Sequence, residues 1–288
     1  MSEISVLGLG NMGTELAKSL LGSGRSVTVW NRSADKAEPL IDAGAEVATS
    51  AADAISASIV SILCISNHRT TAELLRPISG NLPGKTVLQL STGSAKEAED
   101  LVDLLTSAGA DWLIGMINAY PSGIGKAETA ILCASPIKVW DEYGDVIRTM
   151  GGASEHVGTS PAAIPGLFAA MFMARQGFMF GMIYGGAACR NTGVPMDVFA
   201  AQLPLTLRTA ELYAETFRRT VPSQSYDNSE ATLKVYLAAL NGVLATFEET
   251  GTIDDFPRLL RDLTQRGFDE GHSAKDLTVL VEMLSEKS

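Results

Sequence analysis

Three glycines and a short basic turn are the residues best suited to hold a ligand. Gly8, Gly10 and Gly13 fit G-x-G-x-x-G, directly after the apolar run Ile4 to Leu7 and before a helical pattern. Each glycine answers a separate need: a tight strand-to-helix turn, backbone approach to a pyrophosphate, and close packing of helix on strand. The helix that opens with Asn11 and Met12 then offers free N–H groups and the positive end of its dipole to phosphates. A second apolar run, Val27 to Trp30, ends in Asn31-Arg32-Ser33, with Lys36 a short turn further on. A site for NAD would put a carboxylate there, to bind the ribose 2′-hydroxyl. A carboxylate would repel a 2′-phosphate. Arg32 can grip one through two hydrogen bonds, Ser33 and Asn31 add neutral donors, and Lys36 adds charge. The expected cofactor is NADP(H). Ser33 is also placed to cap the helix that follows, and both roles can hold at once.

These residues need a scaffold, and the chain is long enough to build one. Its 288 residues can bury a sizeable core in one large or two ordinary domains. A formal net charge of −11 leaves no basic excess to neutralise phosphates, so neither nucleic acid nor an anionic membrane is an expected partner. Cys64, Cys133 and Cys189 have no metal spacing and form no disulfide framework, and His68, His156 and His272 are scattered. No metal is expected. No apolar leader precedes the first strand, and a cytoplasmic location is expected.

The first half alternates strand and helix. Ile4–Leu7, Val27–Trp30, Ile59–Ile65, Thr86–Gln89, Trp112–Met116 and Glu128–Cys133 read as strands, with Asn11–Leu21 as the cofactor helix and Lys96–Ala108 as an amphipathic crossover. This predicts an α/β fold with an N-terminal, Rossmann-type doubly wound sheet over residues 1–160. Ile65 and Ser66 lie at the end of the third strand and Ser91 and Ser94 follow the fourth, so all four should flank the cofactor cleft. Residues 161–192 read as a long interdomain helix. From Ala162 to Cys189 the chain has no carboxylate and no lysine. Its length and apolarity raise the question of a membrane span, but Pro165, Arg175 and Gln176 interrupt it and no other segment resembles one. A buried helix covered by another subunit is the expected arrangement. Residues 193–288 are predicted to form an all-α domain, with helices at Val198–Phe217, Ser229–Thr250, Asp255–Arg266 and Lys275–Leu284, Asp197 and Asp254 as caps, and Gly251 as a stop.

Taken together, Gly8-Leu9-Gly10-Asn11-Met12-Gly13 and Asn31-Arg32-Ser33 resemble the β-hydroxyacid dehydrogenase superfamily, and within it the NADPH-dependent imine reductases and reductive aminases. The likeness runs through nearly the whole chain. It includes Ser91-Thr92-Gly93-Ser94, Gly109 to Ile117, Pro121 to Gly125, Thr232-Leu233, Leu237 to Leu240, Gly251 to Pro257 and Gly267 to His272. It implies a homodimer with exchanged C-terminal helices, each active site lying between one chain's sheet and the other's helices. The implied substrate is a small imine, or an amine and a ketone.

Departures from the family pattern shape the expected mechanism. The hydroxyacid enzymes use a lysine on the long helix, and here no lysine occurs between Lys138 and Lys234. Alcohol oxidation would lack its base. Imine reductases commonly place an aspartate or tyrosine on that helix, and many reductive aminases add a tyrosine two turns on. The matching positions here are Phe168 and Gln176, neither of which can protonate nitrogen. One way out is a substrate that arrives as a cation and is held against aromatic faces such as Phe168, Phe172 and Tyr184. The other is a phenol from another wall: Tyr184 is the preferred candidate, then Tyr120, with Tyr213 as a further pocket residue. Core packing is the competing role for any of these tyrosines. Two functional alternatives stand beside imine reduction: a carbonyl or hydroxyacid oxidoreductase of the same superfamily, and a non-catalytic NADP-binding protein.

Overall fold

Short runs rich in β-branched and apolar residues build the N-terminal sheet, because strands buried on both faces are mostly apolar, with small or hydrogen-bonding residues such as Ser5, Thr28 and Gln89 between them. The computed structural model describes residues 2–227 and 229–285, and the chain divides into two compact units, Met1–Phe172 and Met173–Ser288. In chain order the first unit contains β1 (Ile4–Leu7), α1 (Asn11–Gly22), β2 (Val27–Trp30), α2 (Glu38–Ile41), β3 (Glu46–Val47), α3 (Ala51–Ala57) and β4 (Val60–Leu63). There follow α4 (His68–Leu75), β5 (Thr86–Gln89), α5 (Ala95–Ser107), β6 (Asp111–Ile117), β7 (Ile131–Ala134), α6 (Ile137–Met150) and β8 (Glu155–Gly158). The sheet runs β3-β2-β1-β4-β5-β6-β7-β8, parallel throughout except between β6 and β7.

Ile4 pairs with Val27 on one side and Val60 on the other, so chain order reverses at β1. A crevice opens at such a switch point beyond the carboxyl ends of the strands, and the glycine turn lies there. Successive side chains point to opposite faces of the sheet. Val6, Val29, Ile62 and Leu88 pack on one face with Leu16 and Leu20 of α1, whereas Leu7, Leu63 and Val87 pack on the other with Ile55, Leu75 and Leu101.

Several boundaries differ from those read in the sequence. The expected strand Ile59–Ile65 shrinks to β4, because Ile59 is exposed and the chain turns at Cys64 toward the cleft. The strand expected at Glu128–Cys133 starts only at Ile131, because Lys126 to Thr129 form a turn closed by Thr129 N–H on Lys126 O. The sequence pattern misses β3 and β8. Neither has a buried apolar run: both residues of β3 are exposed, and β8 is half-exposed along its length.

One helix, α7 (Ala163–Thr192), extends over 30 residues, and only Ile164 and Pro165 of it are buried. It is long and apolar enough to cross a membrane by length and composition. The second unit adds α8 (Met196–Ser223), α9 (Leu233–Glu249), α10 (Asp255–Gly267) and α11 (Leu280–Ser285). Here α8 outruns the expected Val198–Phe217, continuing through Pro204 and Pro222. Asp197 is not its cap but lies in its first turn, with Pro195 at the cap position. Helix α9 begins at Leu233 rather than Ser229, because Thr232 bridges to Asp276 and the Ser229 hydroxyl bonds the Asp276 carboxylate. The helix expected at Lys275–Leu284 is split: Leu277–Val279 form a 3-10 turn capped by Asp276, and only α11 is α-helical. Asp254 stands at the cap position of α10 but makes no cap bond, and is paired instead with Arg258. Gly251, at φ +63, follows α9 as expected.

Candidate dinucleotide and reaction site

The glycine turn is fixed by two close approaches that leave no room for a side chain. Gly8 has φ +97, and a Cβ there would strike the Cys64 carbonyl and Ile65 Cγ2. A Cβ on Gly13 would collide with the Gly8 carbonyl oxygen, so helix and turn could not close. Gly10 is different: a Cβ there would meet nothing within 4 Å. Its open face is the cradle that a pyrophosphate needs. As the N-cap of α1 it brings no side chain to the first-turn N–H groups, and no acidic residue lies in that turn. Those donors, from Asn11, Met12 and Gly13, are therefore left for an anion.

The basic turn lies beside this cradle. Asn31 Oδ1 accepts the backbone N–H of Leu9 at 3.0 Å, and Asn31 Nδ2 donates to the Ser33 carbonyl at 3.0 Å. The carboxamide expected to reach a phosphate thus ties the end of β2 to the glycine turn. Arg32 is exposed and takes no part in the ion pairs among the described residues, and Lys36 is also exposed. Ser33 occupies the cap position of a 3-10 turn, Ala34–Ala37, without a cap bond from its side chain. A groove of about 470 Å³ runs past Trp30, Asn31, Arg32, Val47, Thr49 and Ser50. A second, of about 700 Å³, runs past Gly10, Asn11, Thr14, Lys36, Pro121 and Ser122. Donors, charge and space therefore fit a phosphorylated dinucleotide.

On the other side of the turn, Ile65 donates its N–H to Ser91 Oγ at 3.0 Å, locking together the ends of β4 and β5. Ser66 is exposed. Ser94 caps α5: its hydroxyl accepts from Glu97 N–H while the Glu97 carboxylate accepts from Ser94 N–H. The S-x-x-E spacing that signals such a box is present in the sequence.

His68 joins the site without having been among the sequence candidates. Asn67 caps α4 by accepting from Thr70 N–H at 2.8 Å, which makes His68 the first helical residue. His68 is 1% exposed. Its Nδ1 accepts from Gln89 Nε2 at 3.1 Å, and Gln89 Oε1 accepts from Thr71 Oγ1 at 3.1 Å. Burial pushes the imidazole below its ordinary value, while the Glu97 charge opposes that shift. Together with Ser91, Thr92, Met116, Pro165 and Phe168, His68 lines a slot of about 10 Å³. The one sequence sign is the Asn67 cap following β4, which places the next residue at the cleft edge.

Phe168 stacks on Phe172, with ring centroids 5.7 Å apart. Within the second unit, Gln176 is half-buried and Tyr184 packs against Phe256 at 5.5 Å. Tyr213 meets Tyr236 edge-on and donates to Asp276 Oδ1 at 3.5 Å. Burial, then the Asp276 charge, pushes the Tyr213 phenol up, so it stays protonated. Tyr120 is 82% exposed. Among the described residues no hydrogen bond holds the hydroxyl of Tyr120 or Tyr184.

Comparison with known proteins matches both halves. Residues 3–158 match the NAD binding domain of 6-phosphogluconate dehydrogenase, and residues 167–286 match the NADPH-dependent reductive aminase-like C-terminal domain. An NADPH-dependent reductive aminase from Aspergillus oryzae is 27% identical over 282 residues, 97% of this chain and 96% of that one. The imine reductase from Myxococcus stipitatus, solved in complex with NADP+, superposes with a TM-score of 0.90 at 28% identity, covering 98% of this chain and 100% of the other. The reductive aminase from Aspergillus terreus in complex with NADPH and ethyl levulinate gives 0.88 at 28% identity, covering 99% of each chain. With a dinucleotide turn in its first half and reductive aminase-like helices in its second, the chain belongs to the NADPH-dependent imine reductase and reductive aminase family, built on the NAD binding domain of 6-phosphogluconate dehydrogenase.

Proposed function

We propose that this protein reduces imines or iminium ions to amines with NADPH. NADPH, when bound, supplies the hydride. The Gly10 cradle and the α1 N-terminus hold its pyrophosphate, Arg32 with Lys36 holds its 2′-phosphate, and the Ile65–Ser91 edge borders the cleft. The observation that carries the reading is the composition of α7 within this fold. A helix without lysine or carboxylate from Ala162 to Cys189 offers no base for deprotonating an alcohol. It does offer the stacked faces of Phe168 and Phe172, which suit a flat, cationic C=N group. The reductive aminase from Aspergillus terreus that this chain resembles was solved with NADPH and a keto ester, which supports a small carbonyl or imine as substrate.

The protein is further proposed to act as a homodimer with exchanged C-terminal helices. Met173, Ile183, Leu205 and Leu212 are 66%, 63%, 56% and 71% exposed along α7 and α8, an apolar surface that a second copy would cover. Free thiols at Cys64, Cys133 and Cys189 support a reducing compartment, the cytoplasm.

NADPH consumption with cyclic imines and a preformed N-alkyl iminium, followed by absorbance across pH, tests the activity. Turnover of the iminium with NADPH supports it. Oxidation of a hydroxyacid with NADP+, with every C=N compound left unreduced, overturns it.

A further inference from the structure

Phe168 occupies the position where relatives of this chain are expected to carry a proton donor, yet it is not alone in its slot. The residues lining that slot come from α4, the loop after β5, β6 and α7, and one of them is a buried imidazole. Nδ1 of His68 is held by Gln89, and among the described residues nothing engages Nε2. We infer that His68, which lines the same slot as Phe168, is the proton donor for the C=N nitrogen, delivering it from Nε2. The inference rests on the imine-reductase reading.

The hydrogen-bond chain behind His68 suits a group that changes charge. In the neutral ring, Thr71 donates to Gln89 Oε1, Gln89 Nε2 donates to His68 Nδ1, and Nε2 carries the hydrogen. In the cation both ring nitrogens are donors. A half-turn of the Gln89 amide then presents Oε1 to Nδ1–H and Nε2 to Thr71. The Thr71 hydroxyl is already within 3.2 Å of the Asn67 carbonyl and can turn its hydrogen there. Either charge state keeps Nδ1, Gln89 and Thr71 partnered and leaves only the Nε2–H for a substrate.

The chemistry balances. The Nε2–H bond of the imidazolium breaks, an N–H bond forms at the imine nitrogen, and a neutral imidazole remains. Hydride from NADPH reduces the resulting iminium carbon, yielding amine and NADP+, and solvent reprotonates the ring. The charged groups near His68 are few. Glu97 of α5 favours the cation and is itself paired with Arg69 of α4, while Met116, Ile164, Pro165 and Phe168 bring no charge. Burial keeps the cation a minority at neutral pH, so turnover of a neutral imine should rise as pH falls below the ordinary imidazole value.

The test pairs a neutral cyclic imine with a permanently charged N-methyl iminium, in the wild type and in His68→Gln, with NADPH affinity measured for both. The expected result is a loss of about 100-fold in kcat on the neutral imine, with the iminium rate and NADPH affinity within about twofold. Equal loss on both substrates, or no loss on either, overturns the assignment. Nitrogen-15 NMR of the wild-type imidazole gives a reading free of turnover. It should show hydrogen on Nε2 at high pH, a titration midpoint below 6.5, and a further drop in Glu97→Gln, which keeps the capping box. A ring that carries its hydrogen on Nδ1, or never titrates, also overturns it. Failure of the wild type to reduce even the iminium is a separate outcome: it removes the imine-reductase reading, and this assignment with it.

Discussion

Asn31 bonds Leu9 and Ser33 at once, 3.0 Å to each, so one side chain joins the glycine turn to the turn that bears Arg32. Asn31→Ala removes both bonds, at a cost of about 1–3 kcal/mol. Because the pyrophosphate cradle depends on Leu9 and its neighbours, NADPH and NADH should both bind about tenfold or more weakly. Asn31→Asp keeps the acceptor for Leu9, loses the donor to Ser33 and adds a negative charge beside Arg32. It should weaken NADPH more than NADH. Fluorescence titration with both cofactors measures this. A defect in Asn31→Ala confined to NADPH would mean that the side chain acts on the 2′-phosphate and not on the turn.

Arg32 tests the other half of the cofactor assignment. It is exposed and makes no ion pair among the described residues, so its removal should cost the fold little. Loss of a charge-assisted pair to the 2′-phosphate in Arg32→Ala should weaken NADPH by about 1–3 kcal/mol and leave NADH nearly unchanged. The same titration reads both affinities. Equal loss for both cofactors would place Arg32 elsewhere.

The difference between these two residues shows what a sequence can carry. The glycine motif, the Arg32 turn and the parallel strands are legible because each demands a residue type at a fixed offset. Gly8 and Gly13 are required by backbone contacts that no side chain could tolerate. Asn31 is legible as a polar residue at the right place, but its direction is not: the same carboxamide can face a phosphate or Leu9, and packing decides. His68 is invisible for the opposite reason. Its burial and its bond to Gln89 depend on β5 lying beside β4, a long-range pairing that no local pattern encodes. Strands β3 and β8 escape because edge strands need no apolar run, and α8, read as Val198–Phe217 through Pro204, in fact continues past Phe217 through Pro222.

Asp276 holds the second unit together at the point where the sequence suggests a continuous helix. Its carboxylate accepts from Ser229, from both the N–H and the hydroxyl of Thr278, and from Tyr213. Burial alone would push its pKa up, but the hydrogen bonds from Ser229, Thr278 and Tyr213 outweigh it and leave it below the ordinary value of 3.8. The ionised form is therefore favoured by folding. Its contribution is fully present above that ordinary value and is lost as pH falls through the lower, folded one. Asp276→Ala strands four donors and should destabilise the protein by about 2–4 kcal/mol, read as a lower denaturant midpoint. The wild-type and variant midpoints should converge in strong acid. A gap that stays constant down to about pH 2 would assign the effect to packing.

Phe168→Asp restores a carboxylate to the slot that His68 lines. Phe168 is 36% exposed and its main partner is the stacked ring of Phe172, so the substitution should cost about 1 kcal/mol and leave no closed cavity. A carboxylate close to the imidazole favours the cation, which raises the His68 pKa and keeps the donor charged to higher pH. The introduced carboxyl group, when protonated, would also be a donor in its own right. Turnover of a weakly basic imine at neutral pH should therefore rise, by about tenfold for one unit of pKa shift. In the His68→Gln background, Phe168→Asp should recover part of the lost rate on neutral imines. A fall for every substrate with NADPH affinity intact would assign Phe168 to packing, because a site limited by its proton supply cannot be slowed by gaining an acid.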